Sequence, residues 1–184
     1  VAHKALDRGE KGSCLVRNKM NGEAPRDMER SATFVNGLKE GSMVGFSAST
    51  NDNMLVTQGT VLNRADVDKV FEGNNVTGVV VAIGGKTRDV GVTLLREGTA
   101  QIIAACEAYG VKRICVVSTV GAGDSIDQAP WAFKLLMNTV MKTVMVDKNA
   151  QEALFLEGPG KDLDYCILRP GAYTHDTHGH AYVH

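Results

Sequence analysis

The chain of 184 residues is poor in the residues that most often announce a function. Only 5% are aromatic, four are proline and one is tryptophan, and the four cysteines (Cys14, Cys106, Cys115, Cys166) lie far apart and mostly inside apolar runs. That spacing excludes a zinc-ligand cluster and a dense disulfide framework, and reads as buried thiols in a reducing compartment. Charge of either sign is not in excess: 20 Lys and Arg stand against 21 Asp and Glu, net -1. With no basic surplus, neither nucleic acid nor an anionic membrane is favoured as partner, and a small-molecule substrate is expected. No apolar run is long enough to span a membrane, and the opening "VAHKALDRGEKGS" has no apolar signal-peptide core, so the expected setting is cytoplasmic. The chain begins at Val1, already inside a helical pattern that closes at Gly9, and therefore reads as truncated, which leaves an organellar address open.

What is present is a βα rhythm. A strand at Cys14 to Arg17 is followed by a polar, weakly periodic stretch, residues 19–53, read as a loop insertion with one short helix near Asp27 to Leu38. Beyond it come the strand "MLVTQGTV", the amphipathic helix "RADVDKVFEG" and the β-branched run "VTGVVVAIGG". A long helix ends at Gly110, "VKRICVVST" is the next strand, a second long helix runs from Trp131 to about Glu157, and "DYCILRPG" is a strand closed by Pro170. Strand runs that are apolar throughout are those of parallel strands buried on both faces. The expected fold class is α/β, a single domain over residues 1–184 built on a doubly wound parallel sheet.

Two glycine motifs imitate phosphate loops. A dinucleotide loop needs three glycines on the turn from a first strand into its helix, for the turn, the approach of the pyrophosphate and the packing of helix on strand. After Gly121 and Gly123 the third position is Ile126, and "DSIDQAP" follows instead of an amphipathic turn. "GGKT", Gly84 to Thr87, ends like a P-loop but has Val80 where the leading glycine is required. Neither is a phosphate cradle, yet both sit at the carboxyl ends of parallel strands, where open α/β sheets bind ligands.

"LVRN" after an early strand, "VVVAIGG", "GVKRICVVSTVGAG", the helix carrying Lys148-Asn-Ala-Gln-Glu152 and "LDYCILRPGAY" follow in that order. In this order and spacing the chain resembles the atypical short-chain dehydrogenase/reductases, NAD(P)-binding proteins of Rossmann type that include the NmrA-like proteins and flavin/biliverdin reductase B. The resemblance implies that a first strand and its glycine-rich loop are absent from this chain. It places Arg17 and Asn18 after the second strand, where a guanidinium clamps a 2′-phosphate and a carboxylate would select the ribose diol of NAD. NADP(H) is therefore the implied cofactor, with NAD(H) as the alternative. Gly59, Thr60 and Val61 match the turn beside the adenine, with Thr60 where the family has Asp. Gly84 and Gly85 match the backbone that passes close to pyrophosphate and ribose, and Pro170, Gly171 and Ala172, after Arg169, match the loop over the nicotinamide.

The same alignment assigns the chemistry. Ser118 and Thr119 end a strand, Thr119 on the family's catalytic serine, where a hydroxyl can meet a substrate carbonyl or the nicotinamide amide. Lys148 holds the lysine position of Tyr-x-x-x-Lys and either binds the nicotinamide ribose or is a solvated helix lysine. The tyrosine position is Val144, which has no proton to give, so the phenol-to-carbonyl relay cannot operate. The implied function is NAD(P)H-dependent oxidoreduction by hydride transfer to a flavin-like or other conjugated acceptor. The alternative is a non-catalytic, NmrA-like NADP(H) sensor acting on a regulatory protein partner. His175, His178, His180 and His184 lack cysteine partners and helical register, so no metal site is expected. Met137, Met141 and Met145 read as one packed helical stripe.

Overall fold

The computed structural model describes residues 12–16, 54–84, 92–129 and 131–171. Among the described residues five strands, β1 (Gly12–Val16), β2 (Met54–Gln58), β3 (Gly78–Val81), β4 (Arg113–Val117) and β5 (Asp164–Leu168), are interspersed with helices α1 (Arg64–Phe71), α2 (Leu94–Ala108), α3 (Trp131–Asn138) and α4 (Lys142–Leu156). Every pairing is parallel: β1 with β2, β3 with β4, and β4 with β5. β1 and β3 have one partner each, and among the described residues no strand joins the pair β1-β2 to the sheet β3-β4-β5. The helix proposed at Val1 to Gly9, the 19–53 insertion with its short helix and the histidine-bearing end lie outside the described residues.

Side-chain alternation sets the core. Val79 and Val81 of β3 and Ile114 and Val116 of β4 point to one face and are buried against Ile102, Ile103 and Phe155 of α2 and α4. Leu15 of β1 and Val67, Val70 and Phe71 of α1 belong to the same cluster, so one apolar core spans both sheets. The opposite face is more open: Val80, Cys115 and Val117 are half-buried, Cys166 and Leu168 exposed. Burial on both faces, expected from the apolar runs, thus holds for one face only among the described residues, because the described helices turn their apolar sides to the other. Cys166 is correspondingly not a buried thiol; it stands on β5, in register with Cys115. Cys106 is buried, and burial pushes its thiol up to about 12.

The expected single helix from Trp131 to Glu157 is two helices. Thr139 Oγ1 donates back to the Leu135 carbonyl at 2.8 Å and Met141 N bonds Leu136 O, which closes α3 before α4 begins. A hydroxyl that competes for an i−4 carbonyl beside a β-branched valine weakens the helix at that turn. The methionines still pack together, Met137 and Met145 with Ala122 and Ala129 and with Met141 against them, but across two helices.

α4 organises the molecule. Thr93, before α2, makes no side-chain cap; instead Asp147 accepts from the Leu95 and Arg96 amides at 2.8 and 3.0 Å. A carboxylate from one helix thereby satisfies the open amides of another and meets the positive end of its dipole. Gln151, one turn on, donates to Thr99 Oγ1 at 2.7 Å. These contacts fix α4 along α2, and so fix where the next stripe of α4 meets the sheet.

Candidate functional site

The carboxyl ends of β4 and β5 are tied together past the strands. Ser118 N donates to Leu168 O at 2.7 Å and Val120 N to Pro170 O at 2.9 Å. The chain then turns through Gly121 (φ +90°) and Gly123 (φ +56°), a conformation that costs other residues steric strain. All three amides of the Gly-Ala-Gly loop are engaged within the protein: Gly121 N to Ser125 Oγ, Ala122 N to Thr119 O, and Gly123 N to Asn149 Oδ1. With no amide left to face a phosphate, the loop is a turn that docks on α4. Its closeness is steric as well, since a Cβ on Gly123 would sit 2.5 Å from Glu152 Oε2.

Above this turn lies a charged network that the sequence reading did not single out. Glu152 of α4 is 1% exposed; it accepts the Ser118 hydroxyl on Oε1, and Arg169 Nε and Nη2 at 3.2 and 2.7 Å on Oε1 and Oε2. Arg169 also reaches Asp124 through Nη1 at 2.6 Å. The Glu152 carboxylate raises Arg169 above its usual range, and Arg169 holds Asp124 below its own. Because the Ser118 proton goes to Glu152, Ser118 can offer a ligand only acceptor lone pairs. Thr119, half-buried beside it, has no hydroxyl partner among the described residues and remains free to donate.

Lys148 and Glu152 are one turn apart, so both face the strand ends. Lys148 Nζ donates to the Val117 carbonyl at 2.7 Å, which leaves two N–H bonds without a partner among the described residues. Burial pulls Lys148 down to about 8 against the upward pull of Glu152 and Asp147. Val144, one turn before it, is half-buried and supplies no polar atom. The structure thus brings Ser118, Thr119, Lys148 and Pro170 to one end of the sheet, with Gly171 exposed after them.

The other expected positions follow other strands. Gly59, Thr60 and Val61 follow β2; Thr60 N donates to Asp66 Oδ2 at 3.1 Å, and Val61 is buried. Gly59 has a structural reason of its own, because a Cβ there would lie 2.6 Å from that of Asp66. Gly84 is half-buried after β3. Arg17, Asn18, Gly85 and Ala172 lie outside the described residues. The signal that could have found Glu152 is its i+4 spacing from Lys148 together with an arginine, Arg169, at the end of the last strand.

The donor chemistry of the site suits one end of a nicotinamide dinucleotide. Two open ammonium hydrogens, a free threonine hydroxyl and the acceptor lone pairs of Ser118 suit ribose hydroxyls and a carboxamide. The nicotinamide end fits these residues. A glycine-rich strand-to-helix turn for the pyrophosphate is not found among the described residues.

The chain matches the NAD(P)H-binding family over residues 46–184 and belongs to it. No curated protein matches it. Among solved structures it resembles ChuY, an anaerobillin reductase from Escherichia coli O157:H7, with a TM-score of 0.57 at 17% identity over 91% of this chain and 64% of that one. It also resembles the oxidoreductase ylbE of Lactococcus lactis, with a TM-score of 0.55 at 18% identity over 90% of this chain and 71% of that one. A short-chain dehydrogenase/reductase of Veillonella parvula in complex with NADP aligns with a TM-score of 0.52 at 16% identity over 70% of this chain and 52% of that one. At these identities the likeness is one of fold, and the fold is the Rossmann type of parallel α/β sheet, in agreement with the short-chain dehydrogenase/reductase resemblance of the motifs. The chain spans 63% of a second ChuY, from E. coli CFT073, so it covers less than two thirds of either ChuY structure. Among the described residues no helix is long and apolar enough to cross a membrane.

Proposed function

We propose that the protein is an NADP(H)-dependent oxidoreductase that transfers hydride to a flavin-like or other conjugated small-molecule acceptor in the cytoplasm. The observation that carries this reading is the grouping, at the carboxyl ends of β4 and β5, of a Thr119 hydroxyl and a Lys148 ammonium with two hydrogens that have no partner among the described residues, where Val144 stands in place of a tyrosine. When bound, the reduced dinucleotide supplies the hydride. Lys148 and Ser118 would hold its nicotinamide ribose and carboxamide, and Thr119 would direct its hydroxyl at the acceptor. An acceptor whose negative charge is spread over a conjugated system needs less help from a phenol than a simple ketone does. The neighbour described as an anaerobillin reductase supports an acceptor other than a simple ketone.

The preference for NADP(H) over NAD(H) rests on Arg17, which the family resemblance places at the 2′-phosphate, and on the neighbour in complex with NADP. Losing one charge-assisted bidentate contact costs ~1.5–3 kcal/mol, about tenfold to a hundredfold in affinity. Fluorescence titration of the full-length protein should therefore show NADPH binding at least tenfold tighter than NADH. Equal affinities would remove Arg17 from the site. Val144 itself favours a second reading, a non-catalytic NADP(H) sensor acting on a regulatory partner, which predicts the same binding with no turnover of any flavin or quinone.

A further inference from the structure

Lys148 lies among carboxylates and, among the described residues, pairs with none of them. On its own helix Asp147 faces away, with both oxygens on the amides of Leu95 and Arg96, and Glu152 is engaged by Ser118 and Arg169. The end of β4 offers Lys148 only the Val117 carbonyl. The end of β5 offers Arg169, a second cation, and the turn after β4 offers Asp124, which Arg169 already holds. The result is a half-buried ammonium, fixed among the described residues by one hydrogen bond, with its remaining hydrogens unpartnered there at the sheet end where Thr119 stands.

We propose that Lys148 is the proton donor of this site, in the place that Val144 leaves empty. The inference rests on the oxidoreductase reading above. An acceptor that has taken a hydride carries an added electron pair on a ring nitrogen or carbonyl oxygen. The Nζ–H bond of Lys148 breaks, its proton forms an N–H or O–H bond on that atom, and the neutral amine regains a proton from water. The acceptor is reduced by two electrons and the dinucleotide oxidised by two, so the reaction is balanced without another reagent. Thr119 fixes the acceptor by its hydroxyl, and Ser118, whose proton is engaged by Glu152, cannot compete as donor. An ammonium pulled down to about 8 by burial is still mostly protonated at neutral pH and releases its proton far more readily than a surface lysine.

The test has two readouts. In the cofactor-free protein, lysine amines carrying ¹³C-methyl groups are titrated by NMR, and the Lys148 signal is assigned by its loss in Lys148→Arg. A midpoint near 8 is expected; a midpoint of 10 or above overturns the proposal. The second readout is NADPH-driven reduction of a flavin across pH. The wild type should lose kcat/KM above about pH 8. Lys148→Arg keeps the charge but cannot release a proton, so it should hold NADPH within a few-fold, lose about a hundredfold or more in kcat and lose the inflection. Lys148→Ala should regain rate with added ethylamine. A Lys148→Arg enzyme with near-normal kcat and an unchanged pH profile overturns the role of Lys148 and leaves the oxidoreductase reading standing, whereas a full-length wild type that binds no NADPH overturns both.

Discussion

α4 carries two polar stripes side by side, and they behave differently. Asp147 and Gln151 face α2, where the Asp147 oxygens are filled by two backbone amides and Gln151 Nε2 by Thr99. Lys148 and Glu152, each one residue further on, face the ends of β4 and β5. There Glu152 is saturated by Ser118 and Arg169, while Lys148 keeps two hydrogens open. The first stripe holds helix to helix; the second anchors a site and leaves part of it unfilled. A buried polar group therefore does not by itself mark function. What marks it is hydrogen-bonding capacity left over at a place a ligand can reach.

The comparison breaks most directly at Glu152. Glu152→Ala leaves Ser118 without its acceptor and a half-buried Arg169 with Asp124 alone, and losing one partner of such a pair costs about 3 kcal/mol, the lower end of the usual range because Arg169 keeps Asp124. The denaturation midpoint should fall with an unchanged slope. A loss under about 1 kcal/mol would mean that this stripe contributes to the site alone. Next in size is Asp147→Ala, expected to cost about 2 kcal/mol, since two amides at the positive end of α2 lose a charged acceptor. Hydrogen exchange should show protection lost at Leu95 and Arg96 while Ser118 is unchanged. Loss of protection at both would mean that the stripes are coupled through α4.

Gln151 sharpens the same contrast at smaller scale. Its Oε1 is buried without a partner among the described residues, so the Gln151–Thr99 pair is satisfied on one side only. Gln151→Leu alone should cost about 1 kcal/mol by stranding the Thr99 hydroxyl. The double change Gln151→Leu with Thr99→Val removes both polar groups and should return stability to within about 0.5 kcal/mol of the wild type or above it, a coupling read from a double-mutant cycle.

Much of the architecture was legible because it is local. The β-branched runs ending at Val81 and Val117 give β3 and β4, and the apolar period closing at Gly110 gives α2. The order of motifs gave the family. The break between α3 and α4 was hidden because Met137, Met141 and Met145 continue the four-residue period straight through it, and only the Thr139 hydroxyl on Leu135 O betrays the end. Exposure of Cys166 was hidden because an apolar run identifies a strand without saying what covers each face. Of the site, Ser118, Thr119 and Lys148 were legible from family motifs. Glu152 and Asp147 were not singled out, because their partners lie 17 to 52 residues away in sequence, and only the i+4 spacing of Glu152 from Lys148 hinted at either.

Thr119 gives the smallest effect on stability and the cleanest separation of the two kinds of polar group. Its hydroxyl has no partner among the described residues, and its backbone carbonyl, which holds Ala122 N, survives any side-chain change. Thr119→Ala should therefore alter stability by no more than about 0.5 kcal/mol. If the hydroxyl acts only on the acceptor, NADPH affinity should hold within a few-fold while kcat/KM for flavin reduction falls about tenfold to a hundredfold, the loss of one directed hydrogen bond in the transition state. Thr119→Ser, which keeps the donor and drops the methyl group, should restore most of the rate. A Thr119→Ala protein that is markedly less stable would place Thr119 with Asp147 and Gln151 as structural. One that is stable and fully active would leave Lys148 as the sole donor at the sheet end.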